Sequence, residues 1–286
     1  MKITIIDKKD ITLKVENSTI KFDDIKLPFR LSDTIIISSN VVVNSRDLIK
    51  ITDNDINIIF VNTFANKSSI LTSTKSKNCD LKLKQYGALS KRVSISKYIV
   101  SEKIKRHAFN LKANDIAVDM EPYLKKLDSC TDIQNILGVE GSFSKEYFHH
   151  YFTLFSKRLH NSKRTKRPPL DPINALLSFF YSLLYNIITI KLLGFGFDPC
   201  ISYLHVPFRS HQALSSDILE LFRDQVNQFV KVIIDEKIVT LQDFSKKGGV
   251  YLKYEGRKNL YRPLKDLWEG LEPHINSEIS KLRAIL

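Results

Sequence analysis

The run Asn174–Lys191, NALLSFFYSLLYNIITIK, carries no charge between its ends and admits two structures, a membrane span or a core helix. As a helix its uncharged part extends roughly 24 Å at ~1.5 Å per residue, short of a hydrocarbon layer ~30 Å thick. Ser178, Ser182 and Asn186 recur every four residues and draw one polar stripe along it. The run is read as a buried central helix, and no membrane partner is expected.

Outward from this helix the apolar period is 3.6 as far back as Leu81. Val93 to Lys112 reads as a basic helix, with Ile95, Ile99, Ala108 and Leu111 inward and Lys97, Lys103, Lys105 and Arg106 outward. Further helices are predicted over 115–127, 131–160, 171–193, 211–235 and 262–285, with a small hairpin at 246–257. Before Leu81 the period is two. Ile3, Ile5; Ile11, Leu13, Val15; Ile20, Phe22; and Ile25, Leu27 mark short strands, followed by the runs Ile35–Ile37 and Val41–Val43. Asn44 or Ser45 is placed to cap a brief helix through Asp47, Leu48 and Ile49. Ile56 to Val61 reads as a buried strand, and 67–80 as a strand end and linker. The expected fold is α+β: a small N-terminal β-rich domain at 1–78, then a larger all-helical C-terminal domain at 79–286.

Composition narrows the function. Among 286 residues, 43% are hydrophobic and 26% charged, a balance that supports a large globular core. Nine Gly and nine Pro over that length exclude collagen-like and low-complexity structure. Cys79, Cys130 and Cys200 lie far apart without a CxxC, which excludes a disulfide scaffold and a zinc ribbon and suggests a reducing, cytoplasmic setting. The opening MKITIIDKKD has no apolar h-region, so no secretory signal is read. A net charge of +13 fits a polyanionic partner, nucleic acid or an anionic membrane surface, or else a basic but inert surface.

Glu140 is the most informative single position. Ile133, Ile136 and Leu137, then Glu140, Ser144, Tyr147 and Tyr151, fall on one helical face, and Gly138 and Gly141 flank the acid. A buried carboxylate needs an ion partner or a metal, and glycines beside it permit close approach of another element or a ligand. A partly exposed Glu at a frayed helix junction fits the same pattern. A second element pairs His205, after the apolar Ile201–Leu204, with the helix SDILELFRD. Asp217, Glu220 and Asp224 stand there at i, i+3, i+7 as an acidic stripe that His205 could face. One imidazole with two or three carboxylates suits Mn²⁺ or Mg²⁺; a structural histidine and a common D-x-x-E helix explain the spacing equally. His149 and His150 point about 100° apart on a helix and are read as packing or surface residues. Lys157, Arg158, Lys163, Arg164, Lys166 and Arg167 form a basic run ending in Pro168-Pro169, either a phosphate-contact patch or a solvated loop. Lys246-Lys247-Gly248-Gly249 reads as an exposed turn or a phosphate nest. Walker A, GxSxG and Rossmann patterns are absent.

Four ordered stretches, ILGVEGSFSKEYF, KRPPLDPINALLSFFYSLLY, GFDPCISYLH and ALSSDILELFRD, resemble the CRISPR-associated Cas-one family, the integrases of spacer acquisition. The resemblance covers nearly the whole chain and implies the two-part fold read above. It places the family's metal ligands on Glu140, His205 and Glu220, with Asp217 an acid one turn earlier that supports the catalytic site. Lys163, Arg164, Lys166, Arg167 and Asn174 are expected beside the DNA, with Asp171 in the same motif. Phe197 in GFGFDP and the bulky SFSKEYF depart from the family pattern, neither at a proposed ligand. The implied activity is metal-dependent phosphodiester transesterification with Mg²⁺ or Mn²⁺: the 3′-hydroxyl of a prespacer attacks a repeat-end phosphate. Implied partners are double-stranded prespacer and repeat DNA, a second copy of the chain paired through the N-terminal domain, and a small Cas-two protein. A nuclease that hydrolyses without joining, and a non-catalytic basic DNA-binding protein, are the alternatives.

Overall fold

β-Branched residues at alternate positions build strands wherever one face is covered, and continuous apolar runs build them where both are. The computed structural model describes residues 2–8, 10–62, 67–73, 78–206 and 211–286. Lys9, residues 207–210 and part of the 67–80 stretch fall outside these. The chain divides into two compact units, Met1–Ser76 with Arg257–His274, and Lys77–Gly256 with Ile275–Leu286. The first thus takes in a stretch of the C-terminal helix that a boundary at 78/79 assigns elsewhere.

The first unit contains β1 (Ile3–Ile6), β2 (Ile11–Glu16), β3 (Thr19–Phe22), β4 (Ile25–Pro28), β5 (Thr34–Ile37), β6 (Val41–Val43), α1 (Ser45–Asp53), β7 (Asn57–Asn62) and β8 (Lys67–Leu71). They form two four-stranded sheets, in the orders β1-β5-β7-β8 and β4-β3-β2-β6. β5 runs parallel to both β1 and β7 and is buried along its whole length, which explains its unbroken Ile35–Ile37. β2 alternates buried and exposed, as its period predicts. Asn44 caps α1 by accepting from the Arg46 N–H at 2.9 Å. Asp7 is buried here and is bound by Arg257 Nε at 2.9 Å and by the Tyr261 hydroxyl.

The second unit holds α2 (Cys79–Gly87), α3 (Arg92–Lys112), α4 (Glu121–Ser129), α5 (Ile133–Thr153), α6 (Pro172–Phe195), α7 (Ala213–Glu220), α8 (Arg223–Asp235), β9 (Phe244–Lys246) and β10 (Val250–Leu252). α9 (Tyr254–Ile285) belongs to it at both ends. The fold is α+β, with the β9–β10 hairpin inside the helical part. α6 is long and apolar enough to cross a membrane, yet 72% of its most apolar window is buried inside the unit. Asp171 opens it by accepting from the Asn174 N–H at 2.8 Å, and Gly196 closes it at φ 93°, a left-handed position that suits glycine.

The helix limits differ from the sequence reading where side chains intervene. α2 has no counterpart in that reading. α4 starts at Glu121 rather than 115, because Asp119 accepts from the Glu121 N–H and Pro122 fixes the first turn. α5 stops at Thr153 rather than 160: Phe155 packs on Tyr151 and His160 stacks on Phe152, drawing the chain back onto the core. The predicted helix 211–235 is two helices. Phe222, buried and at φ −127°, breaks it, and Arg106 Nη1 donates to the freed Leu221 carbonyl at 2.6 Å. α9 begins at Tyr254, not 262, entering straight from the hairpin through the extended Lys253.

Candidate active site

Two helices, α5 and α7, and one loop bring Glu140, Glu220 and His205 onto the wall of a single cavity of about 660 Å³. Lys103, Arg164, Lys166, Tyr181 and Arg223 share that wall. Glu140 stands on α5, which runs unbroken past it, so no frayed junction exists there. A Cβ on Gly138 or Gly141 would meet nothing within 4 Å. The glycines therefore admit no protein neighbour, and the one at 141 faces the open cavity.

His205 is positioned by its loop. The buried Asp217 carboxylate accepts from the backbone N–H groups of Tyr203 at 2.7 Å, Leu204 at 3.0 Å and His205 at 2.9 Å. It also accepts from His205 Nδ1 at 2.8 Å, which leaves Nε2 turned towards Glu220, 3.9 Å from Oε1. Burial pulls the imidazole pKa down, but the Asp217 hydrogen bond and charge outweigh it, and the net shift is upward. Further back, Gln85 on α2 accepts from the Asp198 N–H at 2.9 Å and donates to the carbonyls of Asp198 and Ile201, both at 2.8 Å. Arg92 Nε donates to the Tyr203 carbonyl at 2.5 Å.

Glu220 is almost fully buried at the end of α7. Lys103 Nζ lies 2.6 Å and Arg223 Nε 2.8 Å from its Oε2. Burial alone would raise its pKa; Arg223 and Lys103 overcome that and hold the carboxyl well below the usual carboxylate range. Close as they are, neither Glu220 Oε2 nor Arg223 Nε finds an aligned hydrogen bond. Lys103 Nζ also donates to Glu140 Oε1, to which Ser144 Oγ donates at 2.7 Å. Burial raises the Glu140 pKa, and the Lys103 charge turns the net shift downward.

Arg223 lies 4.4 Å from the centre of the Tyr181 ring. The Tyr181 hydroxyl donates to Asn227, whose Nδ2 donates to the Tyr147 hydroxyl at 2.8 Å, which donates in turn to Asn110 at 2.9 Å. This buried chain fixes α6, α8, α5 and α3 around the floor of the cavity.

Several expectations need correction. Asn174 is fully buried and has no capacity left for DNA. Its Oδ1 accepts from Arg164 and the Thr165 N–H, and its Nδ2 donates to the Lys163 carbonyl and to Asp171. It shapes the basic loop instead. Arg164 is half-buried, 5.6 Å from the Tyr181 ring centre, and burial pushes its pKa down to about 10. Lys163, Lys166 and Arg167 are exposed. Asp217 is fully buried and does not line the cavity; its carboxylate is bound by the 203–205 backbone and the His205 ring. Asp224 leaves the acidic stripe, because the break at Phe222 turns α8 and sets it near Arg106.

Lys103, expected outward, is buried, with 6% of its side chain exposed. Its position four residues after Ile99 and four before the buried His107 puts it on the apolar face, and that spacing is the signal that could have found it. Arg106, also expected outward, caps α7 and pairs with Glu278 at 2.7 Å. Arg223, Tyr181 and Gln85 escape sequence reasoning, since pairing across elements leaves no mark on local periodicity.

Two carboxylates and an imidazole whose Nδ1 is already committed are of the donor types that suit a hard divalent cation. The buried Glu220 Oε2 already holds two cationic groups within 2.8 Å, so its charge attracts cations. Among the described residues no three acidic, His or Cys side chains stand ready as a ligand group. An ammonium, Lys103, contacts both acids.

The family model described as CRISPR associated protein Cas1 matches residues 2–266. A relative from Thermodesulfovibrio yellowstonii, a CRISPR-associated endonuclease Cas1, is 31% identical over 291 residues, covering 94% of this chain and 91% of its own. The structure of a Cas1 protein from Thermotoga maritima superposes with a TM-score of 0.89 at 26% identity, covering 98% of this chain and 96% of that one. A casposase bound to its integration product shares the fold, with a TM-score of 0.81 at 21% identity over 93% of this chain and 82% of that one.

Proposed function

The chain belongs to the Cas1 family of CRISPR-associated proteins, and from that premise we propose that it is a metal-dependent DNA endonuclease and integrase. It inserts prespacer DNA into a CRISPR array, the prespacer 3′-hydroxyl attacking a repeat-end phosphodiester. The observation that carries this reading is the meeting of Glu140, His205 and Glu220 on one cavity wall lined by cationic side chains.

Glu140, His205 and Glu220 would hold Mg²⁺ or Mn²⁺, which supplies Lewis-acid polarisation of the phosphoryl oxygen and eases loss of the hydroxyl proton. Asp217 keeps the His205 ring turned so that Nε2 faces Glu220. Lys163, Lys166 and Arg167 lie exposed to take backbone phosphates, and Arg164 and Arg223 face the phosphate that enters. The bond from phosphorus to the 3′-oxygen of the nucleotide flanking the repeat breaks as the prespacer oxygen bonds to that phosphorus, so the repeat end is joined to the prespacer and no side-chain nucleophile is required. Two copies pair through the N-terminal unit and take up a small Cas-two partner; a dimer mass in sedimentation checks the first step.

The test is strand transfer into a repeat-bearing plasmid with Mn²⁺, measured beside DNA affinity. Glu140→Ala, His205→Ala and Glu220→Ala are expected to lose at least about 100-fold in transfer, the loss of a positioned catalytic group, while still binding DNA. Cleavage without joined products would make the protein a nuclease that does not integrate. Wild-type transfer by Glu140→Ala or Glu220→Ala would remove the site assignment.

A further inference from the structure

We propose that Lys103 is an internal counter-cation that holds Glu140 and Glu220 until DNA arrives, coupling divalent-metal binding to DNA binding. The proposal rests on the reading of these carboxylates as metal ligands. Among the described residues, Glu140 and Glu220 are the only acids on the cavity wall, and Lys103 touches both, 2.6 Å from Glu220 and hydrogen-bonded to Glu140. The ammonium is buried on the packed face of α3, between Ile99 and His107, and stays charged there only while anions meet it.

An ammonium in contact with both carboxylates repels a divalent cation placed on them and weakens its binding in an enclosed site. Moving Lys103 away from both acids therefore strengthens them as ligands. Its new partner has to be an anion in the same cavity, and the described residues of that wall offer none. The other charged groups there include Lys145, Lys163, Arg164, Lys166 and Arg223, all cations. An incoming DNA phosphate supplies the missing anion. As Lys103 turns to phosphate, the carboxylates are freed, so each ligand tightens the other by the same factor.

The probe is Mn²⁺ itself, with free ion counted by electron paramagnetic resonance, against wild type, Lys103→Met and Glu220→Gln. Each is titrated alone and with a short DNA duplex lacking repeat sequence. Wild type is expected to bind Mn²⁺ weakly alone and about tenfold tighter with duplex, within the usual range of coupling. Lys103→Met should bind Mn²⁺ about tenfold tighter than wild type without DNA and gain little from duplex. Equal or weaker Mn²⁺ binding by Lys103→Met, or an equal gain from duplex in both proteins, overturns the role of Lys103. Unchanged Mn²⁺ affinity in Glu220→Gln would instead overturn the carboxylates as ligands. If Lys103→Met does not fold in chelator, its melting temperature with Mn²⁺ is read instead. A larger Mn²⁺-induced rise than in wild type supports the proposal, and no rise overturns it.

Discussion

Four N–H groups converge on Asp217, three from the backbone at 203–205 and one from His205 Nδ1, and no solvent reaches it. Each donor loses its partner if the carboxylate goes, and a buried donor left alone costs about 1–3 kcal/mol. Asp217→Asn keeps the shape but turns an NH₂ group towards donors. It is expected to lower unfolding free energy by roughly 3 kcal/mol in urea denaturation, from the charged hydrogen bonds it removes. Transfer activity should fall less than in Glu220→Ala, because Asp217 reaches the substrate only through His205. A stability equal to wild type would show that the 203–205 loop does not depend on this acceptor.

At the scale of elements, the break between α7 and α8 sends Asp217 and Glu220 one way and Asp224 another. Burial pushes the Asp224 carboxyl up to about 6, against the Arg106 charge and the backbone N–H groups of the first turn of α8. An unfolded aspartate titrates near ~3.9. Between roughly pH 4 and 6 the native chain thus holds a proton that the unfolded chain has released, so stability falls as pH rises through that window. Asp224→Asn resembles the protonated acid and is free of this fall. Its stability relative to wild type is expected to improve by about 2 kcal/mol between pH 4 and pH 7. Urea denaturation at the two pH values measures it, and a pH-independent difference would place the carboxyl in water. The hairpin shows close fitting of another kind. A Cβ on Gly249 would lie 2.7 Å from Pro168 Cβ, and the Val250 N–H donates to the Pro169 carbonyl at 2.8 Å. The Lys246-Lys247 turn is thereby docked against the basic loop.

For the whole molecule the net charge of +13 sets the long-range behaviour. DNA affinity should fall steeply with salt, and replacing Lys163, Lys166 and Arg167 with Ala should flatten the slope by about one unit for each phosphate no longer neutralised. Melting temperature should hold, since these three side chains are exposed. Arg164→Ala should behave differently, losing stability as well as affinity, because its guanidinium is bound to Asn174 and Ser178. Fluorescence anisotropy at several salt concentrations reads the slope. An unchanged slope in the triple variant would assign the loop to solvent.

Local pattern alone determined the two-part α+β architecture, most strands of the first unit, the buried α6 and a cap at Asn44 or Ser45. Each depends on neighbours a few residues apart, and hydrophobic period and capping chemistry record such neighbours directly. The ordered motifs also marked Glu140, His205 and Glu220, although spacing by itself left each with a structural alternative. What only the tertiary structure decided is which charges meet. Lys103 and Glu220 stand more than a hundred positions apart in the chain, as do Gln85 and the 198–201 loop that it satisfies. The same holds for Asn174: its amide is spent on a loop folded back over it, a fact no helical period contains. Electrostatic pairing and hydrogen-bond saturation depend on distances across elements, and those exist only once the helices have packed.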